Sequence, residues 1–352
     1  MRVLQYGVGA MGALMIHILS SKTGVEIVAA IDSDPNKIGR DLGEVAGLGN
    51  ATGKMVQPIS EYKTEGAEIA LHATTAFAAE AYPILSDLIS RGLNVVTITQ
   101  ELFFPIGRNI EIARQLDEEA KNAGVRITAA GINPGFILDM LPIAASLPCR
   151  RIDKITGTRV VDFSPYGPDE MKHIAAGLTE DEFIAGARRG EFGHIGLLES
   201  SAMVAHALAL GVDELRQTKS PIVTKTPRRT SFVSIDAGRV CGFRQSVTGY
   251  AAGQEKLHLQ MLGLLAPTAD DPALGDQFRI EGDPCVDVVT QEQISQRGGL
   301  GTAAVAVNTI PRIMHAEPGF HTSNELIMPS IWRDPLAQVV VSSVSTTIEG
   351  AH

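Results

Sequence analysis

Short apolar runs and longer amphipathic stretches alternate along the first 140 residues of the chain. The apolar runs predict buried strands, and the amphipathic stretches, several of them bounded by proline or glycine, predict helices. Strands that alternate with helices are typical of a parallel, doubly wound α/β sheet. The predicted strands are residues 2–7, 25–32, 67–73, 94–99 and 125–131, and the predicted helices are residues 13–22, 77–91 and 105–124.

The pattern changes after Pro148. A long strand is predicted at 152–163, and Thr179 with Glu182 forms a capping-box pattern at the start of a helix. A helix with a broad apolar face follows at 194–210. Later runs are separated by Gly, Pro and Asp turns, which favours a second, α+β domain on a mainly antiparallel sheet. These strand-like runs are residues 230–235, 247–251, 256–261 and 278–281.

A last helical pattern at 299–314, interrupted by Pro311, is expected to return the chain to the first domain. The predicted organisation is a dinucleotide-binding Rossmann domain at 1–140, a substrate and dimerisation domain at 141–298, and a C-terminal return at 299–352. The final stretch, 339–352, mixes a short β-branched run with polar residues and predicts little.

The turn after the first strand has the spacing G-x-G-x-x-G and opens a helix. Gly7 allows the tight turn, Gly9 lets backbone approach a pyrophosphate, and Gly12 lets the helix pack closely on the sheet. The next strand ends in Asp32, about 20 residues on, where a carboxylate can bind a ribose hydroxyl. Hydroxyls at the carboxyl ends of later strands lie on the same ligand side. The predicted cofactor-binding residues are Gly7, Gly9, Ala10, Met11, Gly12, Asp32, Thr74, Thr75, Thr99 and Asn133.

Asp32 favours NAD(H) over NADP(H), because a carboxylate repels a 2′-phosphate. Lys37 and Arg40 follow closely and are cations that such a phosphate would use, so NADP(H) stays open.

Composition narrows the classes of partner. The 352 residues are enough for about two domains, and 44% hydrophobic with 20% charged residues is ordinary for a soluble globular protein. A formal net charge of −10 argues against nucleic acid or an anionic membrane as partner. No apolar run is long enough to cross a bilayer, and a strand, not a signal leader, opens the chain, so we expect a cytoplasmic protein.

The three cysteines, Cys149, Cys241 and Cys285, have no metal-binding spacing. We expect reduced core thiols and no metal site.

Glu101 is the candidate catalytic residue. It directly follows a strand whose carboxyl end must face the crevice, and Leu102, Phe103 and Phe104 follow it. A carboxylate among such neighbours is desolvated, which raises its pKa towards that of a general base. An ordinary acid near a helix N-terminus, ahead of Pro105, is the equal alternative.

Other candidates each have a structural alternative. Phe136 ends a rigid Asn-Pro-Gly turn that either bounds the nicotinamide face or only crosses between domains. Arg159 could bind an anionic or carbonyl group or be a surface arginine, and Tyr166 could enter a site or cap the core. His258 could line the site or be an interior or solvent-facing residue, and His72 is interpreted as structural. Semialdehyde dehydrogenases need a cysteine where Phe136 stands, and no G-x-S-x-G, HExxH or Walker lysine loop occurs, which leaves direct hydride transfer.

Several of these motifs together resemble one family. They are Gly7-x-Gly9-x-x-Gly12, the strand end Thr99-Gln100-Glu101-Leu102, the turn from Gly131 through Asn133-Pro134-Gly135-Phe136 to Asp139, and Gly157-Thr158-Arg159. This combination is similar to 2,4-diaminopentanoate dehydrogenases and the native amine dehydrogenases, a branch of the dihydrodipicolinate-reductase-like superfamily. The likeness runs to about Pro311. Dihydrodipicolinate reductase itself lacks support, because no His-His-x-x-Lys run followed by Ser-Gly-Thr occurs.

The resemblance implies reversible oxidative deamination of a small amine to a ketone or aldehyde, with a nicotinamide cofactor, ammonia as co-substrate in reverse, and a homodimer. It implies that Glu101 is the catalytic carboxylate. It also implies that the substrate lies near Phe136, Met140, Arg159, Tyr166, His258 and Thr302. Two alternatives remain: another Rossmann oxidoreductase, such as an amino-acid dehydrogenase or an imine or carbonyl reductase, and a non-catalytic NAD(P)-binding regulator.

Overall fold

The computed structural model describes residues 1–294 and 298–326, except the side chains of 168–170. A parallel sheet of seven strands carries the first part of the chain, in the order β15-β6-β5-β4-β1-β2-β3. Its strands are β1 (Arg2–Tyr6), β2 (Glu26–Asp32), β3 (Val56–Pro58), β4 (Ile69–His72), β5 (Asn94–Thr97), β6 (Arg126–Ala129) and β15 (Gly319–His321).

Helices cover both faces of this sheet. Every residue of β4 and of β5 is buried, because side chains on either face meet a helix. The helices of this half are α1 (Ala10–Ser20), α2 (Leu42–Ala46), α3 (Ala78–Ser90), α4 (Asn109–Ala123) and α9 (Leu300–Ile313). The predicted Rossmann-like fold class is confirmed.

The second sheet has six strands in the order β14-β13-β7-β12-β11-β8. Only the β7–β12 pair is parallel within it; the other neighbours are antiparallel. The predicted second, mainly antiparallel sheet is therefore confirmed. Its strands are β7 (Arg151–Asp162), β8 (Glu214–Val223), β11 (Val240–Ala251), β12 (Gln254–Leu264), β13 (Gly275–Asp283) and β14 (Val286–Val289), and β9 (Arg228–Arg229) pairs with β10 (Ser234–Ile235) beside it.

One face of the second sheet is packed and the other is half-exposed. Leu257, Leu259 and Met261 of β12 belong to the buried cluster that includes Phe183 and Val204 of the covering helices. The intervening β12 side chains lie on the opposite face, where packing is thinner. The helices of this half are α5 (Met140–Ala145), α6 (Pro168–His173), α7 (Glu180–Arg188) and α8 (Leu197–Ala207).

The structure confirms the capping box, in which Thr179 and Glu182 bind each other's backbone N–H groups. Several sequence-based expectations were wrong. The helix predicted from Pro105 begins only at Asn109, because a 3-10 turn at Gln100–Leu102 and a loop come first. Pro311 lies inside α9 without interrupting it.

The strand predicted at 230–235 is reduced to β10, since Thr230 forms a local turn with Val233. Strands β8 and β14 and helices α5 and α6 were not predicted. Cys285 is exposed and not a core residue, whereas Cys241 is buried and Cys149 half-buried; all three thiols are free. Within residues 1–294 and 298–326, no helix has the length and apolarity of a bilayer span. The predicted domain boundaries stay predictions, and 339–352 lies outside the described residues.

Candidate active site

A cavity of about 550 Å³ lies between the carboxyl end of the first sheet and the packed face of the second. It brings together residues from α1, the segment after β5, β7, α9 and the loop after β6, although these are far apart in the chain. The sequence-predicted residues among its lining are Ala10, Met11, Thr99, Asn133, Arg159, Tyr166 and Thr302.

The glycine turn after β1 shows the close contacts that its motif predicts. A Cβ on Gly12 would lie 1.9 Å from the Gly7 carbonyl oxygen, and Gly7 itself has φ of +90°. A Cβ on Gly9 would meet nothing within 4 Å, so packing inside the protein does not require this glycine. The open space above Gly9, at the N-terminus of α1, fits a pyrophosphate bound by backbone N–H groups.

Asp32 ends β2 beside this turn and is 8% exposed. Burial alone would raise its pKa, but N–H groups of Asp34 and Val8, with the Lys37 ammonium, lower the pKa below its usual value. The Lys37 Nζ lies 3.2 Å from Asp32 Oδ2. Asp32 is thus a charged acceptor at the position expected for the ribose, and Lys37 is already partnered by it.

The strand-end hydroxyls form a hydrogen-bonded chain. Thr74 Oγ1 lies 2.6 Å from His72 Nε2, and His72 Nδ1 lies 2.8 Å from Thr97 Oγ1. Thr97 Oγ1 donates to Thr99 Oγ1, which donates to the Thr75 carbonyl. Burial lowers the pKa of His72 to about 4, so its ring is neutral and can donate from one nitrogen while accepting at the other. His72 therefore joins the ends of β4 and β5 next to the cavity.

Glu101 lies on the 3-10 turn that follows β5 and is half-buried. Its Oε2 accepts a hydrogen bond of 2.8 Å from the Ala78 N–H, in the first turn of α3. The neighbouring Gln100 and Phe103 line the cavity, whereas Glu101 is not among its lining residues. Glu101 thus binds the start of α3, as the structural alternative expects, and its catalytic role stays a prediction.

Arg159 is not a surface arginine. It is 2% exposed and its Nη1 lies 3.0 Å from Asp276 Oδ1 on β13. Burial lowers the pKa of Arg159 and raises that of Asp276, while their mutual attraction opposes both shifts. The guanidinium reaches the cavity with its charge already partly neutralised.

The Asn-Pro-Gly turn separates two cavities. Asn133 lines the first and donates from Nδ2 to Met261 Sδ at 3.4 Å. Phe136 and Met140 line a second, apolar cavity of about 430 Å³, bounded by α5 and α9. These two predicted substrate residues are therefore on the far side of the turn from Arg159.

His258 is not brought to either cavity. It alternates with Leu257 and Leu259 as predicted, but the face it shares is the half-exposed one, and its Nδ1 contacts Thr248 Oγ1 at 2.9 Å. Tyr166 lines the first cavity and also packs on Phe163, with ring centroids 4.9 Å apart.

Sequence reasoning missed two residues here. His194 lines the first cavity, and its Nδ1 is buried without a hydrogen-bond partner among the described residues. Burial, with the Arg159 and Lys219 charges, lowers the pKa of His194 to about 3, so the ring is neutral. Glu199 is a buried acid on α8; a lone carboxylate inside the apolar pattern of 194–210 was the signal that could have found it.

Comparison with known proteins agrees with this architecture. The family model of the 2,4-diaminopentanoate dehydrogenase C-terminal domain matches residues 136–342, and the family model of the dihydrodipicolinate reductase N-terminus matches residues 1–102. A 2,4-diaminopentanoate dehydrogenase from Acetoanaerobium sticklandii is 32% identical over 333 residues, covering 93% of this chain and 94% of that protein.

Two amine dehydrogenases are also similar. The protein from Streptomyces virginiae is 24% identical over 350 residues, covering 93% of this chain and 97% of that protein. The structure of the Mycobacterium smegmatis enzyme superposes with a TM-score of 0.81 at 23% identity, covering 94% and 97% of the two chains, and shows the same fold. The match over the second half of the chain and the relative at 32% identity agree, and the chain belongs to the 2,4-diaminopentanoate dehydrogenase family.

Proposed function

We propose that this protein is an NAD(P)-dependent amine dehydrogenase that converts a small amine reversibly to a ketone or aldehyde and ammonia. The observation that carries the proposal is Glu101 on the 3-10 turn after β5, directly beside Gln100, which lines the cavity together with Ala10 and Met11 of the glycine turn and α1. The names of the relatives at 32% and 24% identity support the same reaction class.

Glu101 is proposed as the proton-transfer group. In the direction of amination its carboxylate takes a proton from ammonium, and the carboxyl group then protonates the hydroxyl of the carbinolamine as water leaves. The bound cofactor, when reduced, supplies hydride to the resulting iminium carbon. The cavity between the sheets holds these groups together and limits their contact with water.

The lining of the cavity supports an uncharged carbonyl substrate. His194 is neutral and can hydrogen-bond the substrate oxygen, and Arg159 is paired with Asp276. An amino-acid dehydrogenase would use a free arginine as a carboxylate clamp, so the Arg159–Asp276 pair favours amines over amino acids.

NAD(H) is the proposed preference, because the Asp32 carboxylate at the end of β2 would repel a 2′-phosphate, and Lys37 is bound to it. The cofactor contacts proposed for the glycine turn, Thr74, Thr75 and Asn133 follow the same crevice edge. The division at residues 140 and 298 remains part of this proposal, supported by the two separate sheets. A homodimer remains part of it as what the family resemblance implies.

The test is oxidation of NADH and NADPH with a panel of small ketones and aldehydes, with and without excess ammonium. We expect oxidation that requires ammonium and that falls at least about 100-fold in Glu101→Gln, with cofactor binding retained. Glu111→Gln removes an exposed acid on α4 and is the matched control. Oxidation that ignores ammonium would make the protein a carbonyl reductase, and cofactor binding without any oxidation would favour a regulator.

A further inference from the structure

Glu199 is a buried carboxyl group that the proposed reaction has not used. It is the third residue of α8 and is 6% exposed. Burial raises its pKa to about 7; its own backbone N–H opposes that shift, and the charge of Glu101 adds to it. Burying such a group is costly unless it is neutral or has a partner, so its position calls for an explanation.

The face of α8 that carries Glu199 contacts the segment that follows Glu101. Met203 and His206 follow Glu199 by four and seven residues, a spacing that places all three on one side of a helix. Met203 belongs to the same buried cluster as Phe103, and the His206 ring lies 5.6 Å from the Phe104 ring.

This side of α8 therefore meets the chain at residues 103–104, two to three residues after Glu101. The charge of Glu101 acts on the buried Glu199 from there, so two carboxyl groups from different halves of the molecule interact.

The surroundings of Glu101 and Glu199 favour opposite protonation states. Glu101 accepts a hydrogen bond from the Ala78 N–H, where the N-terminus of α3 favours a negative charge. Glu199 is far more deeply buried, which favours the neutral acid. Since the charge of Glu101 repels a charge on Glu199, one proton on the pair removes that repulsion.

We propose that Glu199 is a positioning residue that keeps a proton available to Glu101, so that the two carboxyl groups carry one proton between them as the reaction starts. This inference rests on the proposed function, because it assigns Glu199 a part in the proton transfers of Glu101. The proton transfers of the site would then involve a residue of α8, a helix that covers the second sheet.

The protons of the reaction balance when this second carboxyl group takes part. Ketone, ammonium, NADH and one further proton give the protonated amine, NAD⁺ and water. Glu101 takes one proton from ammonium, breaking an N–H bond, and returns it to the carbinolamine hydroxyl as the C–O bond breaks. After hydride has reached the iminium carbon, the neutral amine needs one more proton. Glu199 gives that proton through Glu101 and recovers it from solvent.

The other charged groups near α8 do not replace this pairing. Asp139, at the start of α5, is bound by Ser200 Oγ at 2.6 Å, and Lys219 of β8 donates to the Phe192 carbonyl. His194 precedes the helix and is neutral. Strands β11 and β12 pack against the side of α8 that carries Leu197 and Val204, and they present apolar or amide side chains there, namely Phe243, Gln245, Val247, Leu257, Leu259 and Met261.

The test compares Glu199→Gln with the wild-type protein across a pH series, in the ammonium-dependent reaction. The glutamine keeps the shape of the side chain but cannot release a proton. In the wild type we expect kcat to fall as pH rises through about 7, because loss of the Glu199 proton leaves two negative charges together. In Glu199→Gln that fall should be absent and the maximal kcat should be lower by about 10-fold, with the KM for ketone unchanged.

Glu182→Gln is the matched control, since Glu182 is the third residue of α7 and is exposed. It should leave the wild-type pH profile unchanged. Wild-type and Glu199→Gln profiles of identical shape would overturn the inference and leave the proposed function standing.

Infrared difference spectroscopy of the carboxyl C=O stretch gives a second readout that does not depend on turnover. A protonated carboxyl should titrate near pH 7 in the wild type, be missing in Glu199→Gln, and titrate at lower pH in Glu101→Gln. An unchanged midpoint in Glu101→Gln would show that the carboxyl groups are not coupled. A coupled pair without ammonium-dependent turnover would overturn the proposed function instead.

Discussion

The two sheets contribute to the cavity in opposite ways. The first-sheet side presents small, uncharged residues such as Ala10, Thr99 and Ala130, with backbone N–H groups at the start of α1. The second-sheet side presents large polar side chains, Arg159, His194 and Tyr166. The first half leaves room for a ligand beside its backbone, because its side chains there are small. The second half offers polar side chains whose burial costs free energy. We therefore expect steric losses at the glycine turn of the first half and electrostatic losses at the buried ion pair of the second.

The largest effect is expected at the buried ion pair of the second half. Arg159→Met should lower the free energy of unfolding by about 3–5 kcal/mol, because it leaves Asp276 buried without its cation. Urea unfolding followed by circular dichroism measures this. The matched control is Arg279→Met, since Arg279 and Asp287 are also 3.0 Å apart on the same sheet but are 50% and 55% exposed. That change should cost about 1 kcal/mol or less, and equal losses in the two variants would contradict the argument.

A smaller effect is expected from the buried imidazole of His72, which joins the ends of β4 and β5 in the first half. The pKa of His72 is lowered to about 4, from 6.5, by burial. Between these values the unfolded chain binds a proton that the folded protein does not. Stability is therefore fully present above pH 6.5 and is lost as pH falls towards 4, by up to about 3 kcal/mol.

The measurement is urea unfolding of the wild type and His72→Gln at several pH values across that window. The glutamine can still join Thr97 and Thr74 but does not titrate. Its stability should fall less on acidification than that of the wild type, and the difference isolates His72 from other groups. Parallel pH dependences would show that the ring is not held neutral.

The smallest change in stability separates two glycines of one turn. Gly12→Ala should cost about 1–3 kcal/mol, because its Cβ would lie 1.9 Å from the Gly7 carbonyl oxygen. Gly9→Ala should leave stability nearly unchanged, because its Cβ would meet nothing within 4 Å. If Gly9 approaches a pyrophosphate, Gly9→Ala should nevertheless weaken NADH binding by about 10-fold or more, measured by fluorescence titration. Binding equal to that of the wild type would place the pyrophosphate elsewhere.

The same contrast explains what the sequence could predict. The strands of the first sheet are buried on both faces, so they appear as continuous apolar runs between glycine and proline signals, and the predictions for β4 and β5 agree with the structure to within two residues at each end. Strand β8 is mostly exposed and polar and contains Pro221, so it gave no recognisable period. The local pattern of apolar residues identifies a strand only where that strand is buried along its whole length.

The candidate site divides in a similar way. Gly7, Gly12 and Asp32 were predictable because a short stretch of chain defines their geometry. Glu199 and His194 owe their properties to burial against distant segments, and the pairing of Arg159 with Asp276 joins β7 to β13. No local spacing records such contacts, so the lone carboxylate at Glu199 could be noticed in the sequence, but its burial, like that of His194, is visible only in the folded chain.

Strand β15 has a consequence for the order in which the protein is made. The Gly319 N–H binds the Val125 carbonyl, and β15 covers the edge of β6 only after the whole second sheet has been synthesised. Until then β6 offers an open strand edge to any neighbouring nascent chain. A chain truncated before residue 319 keeps that edge, so incomplete products of translation are the species most prone to aggregate.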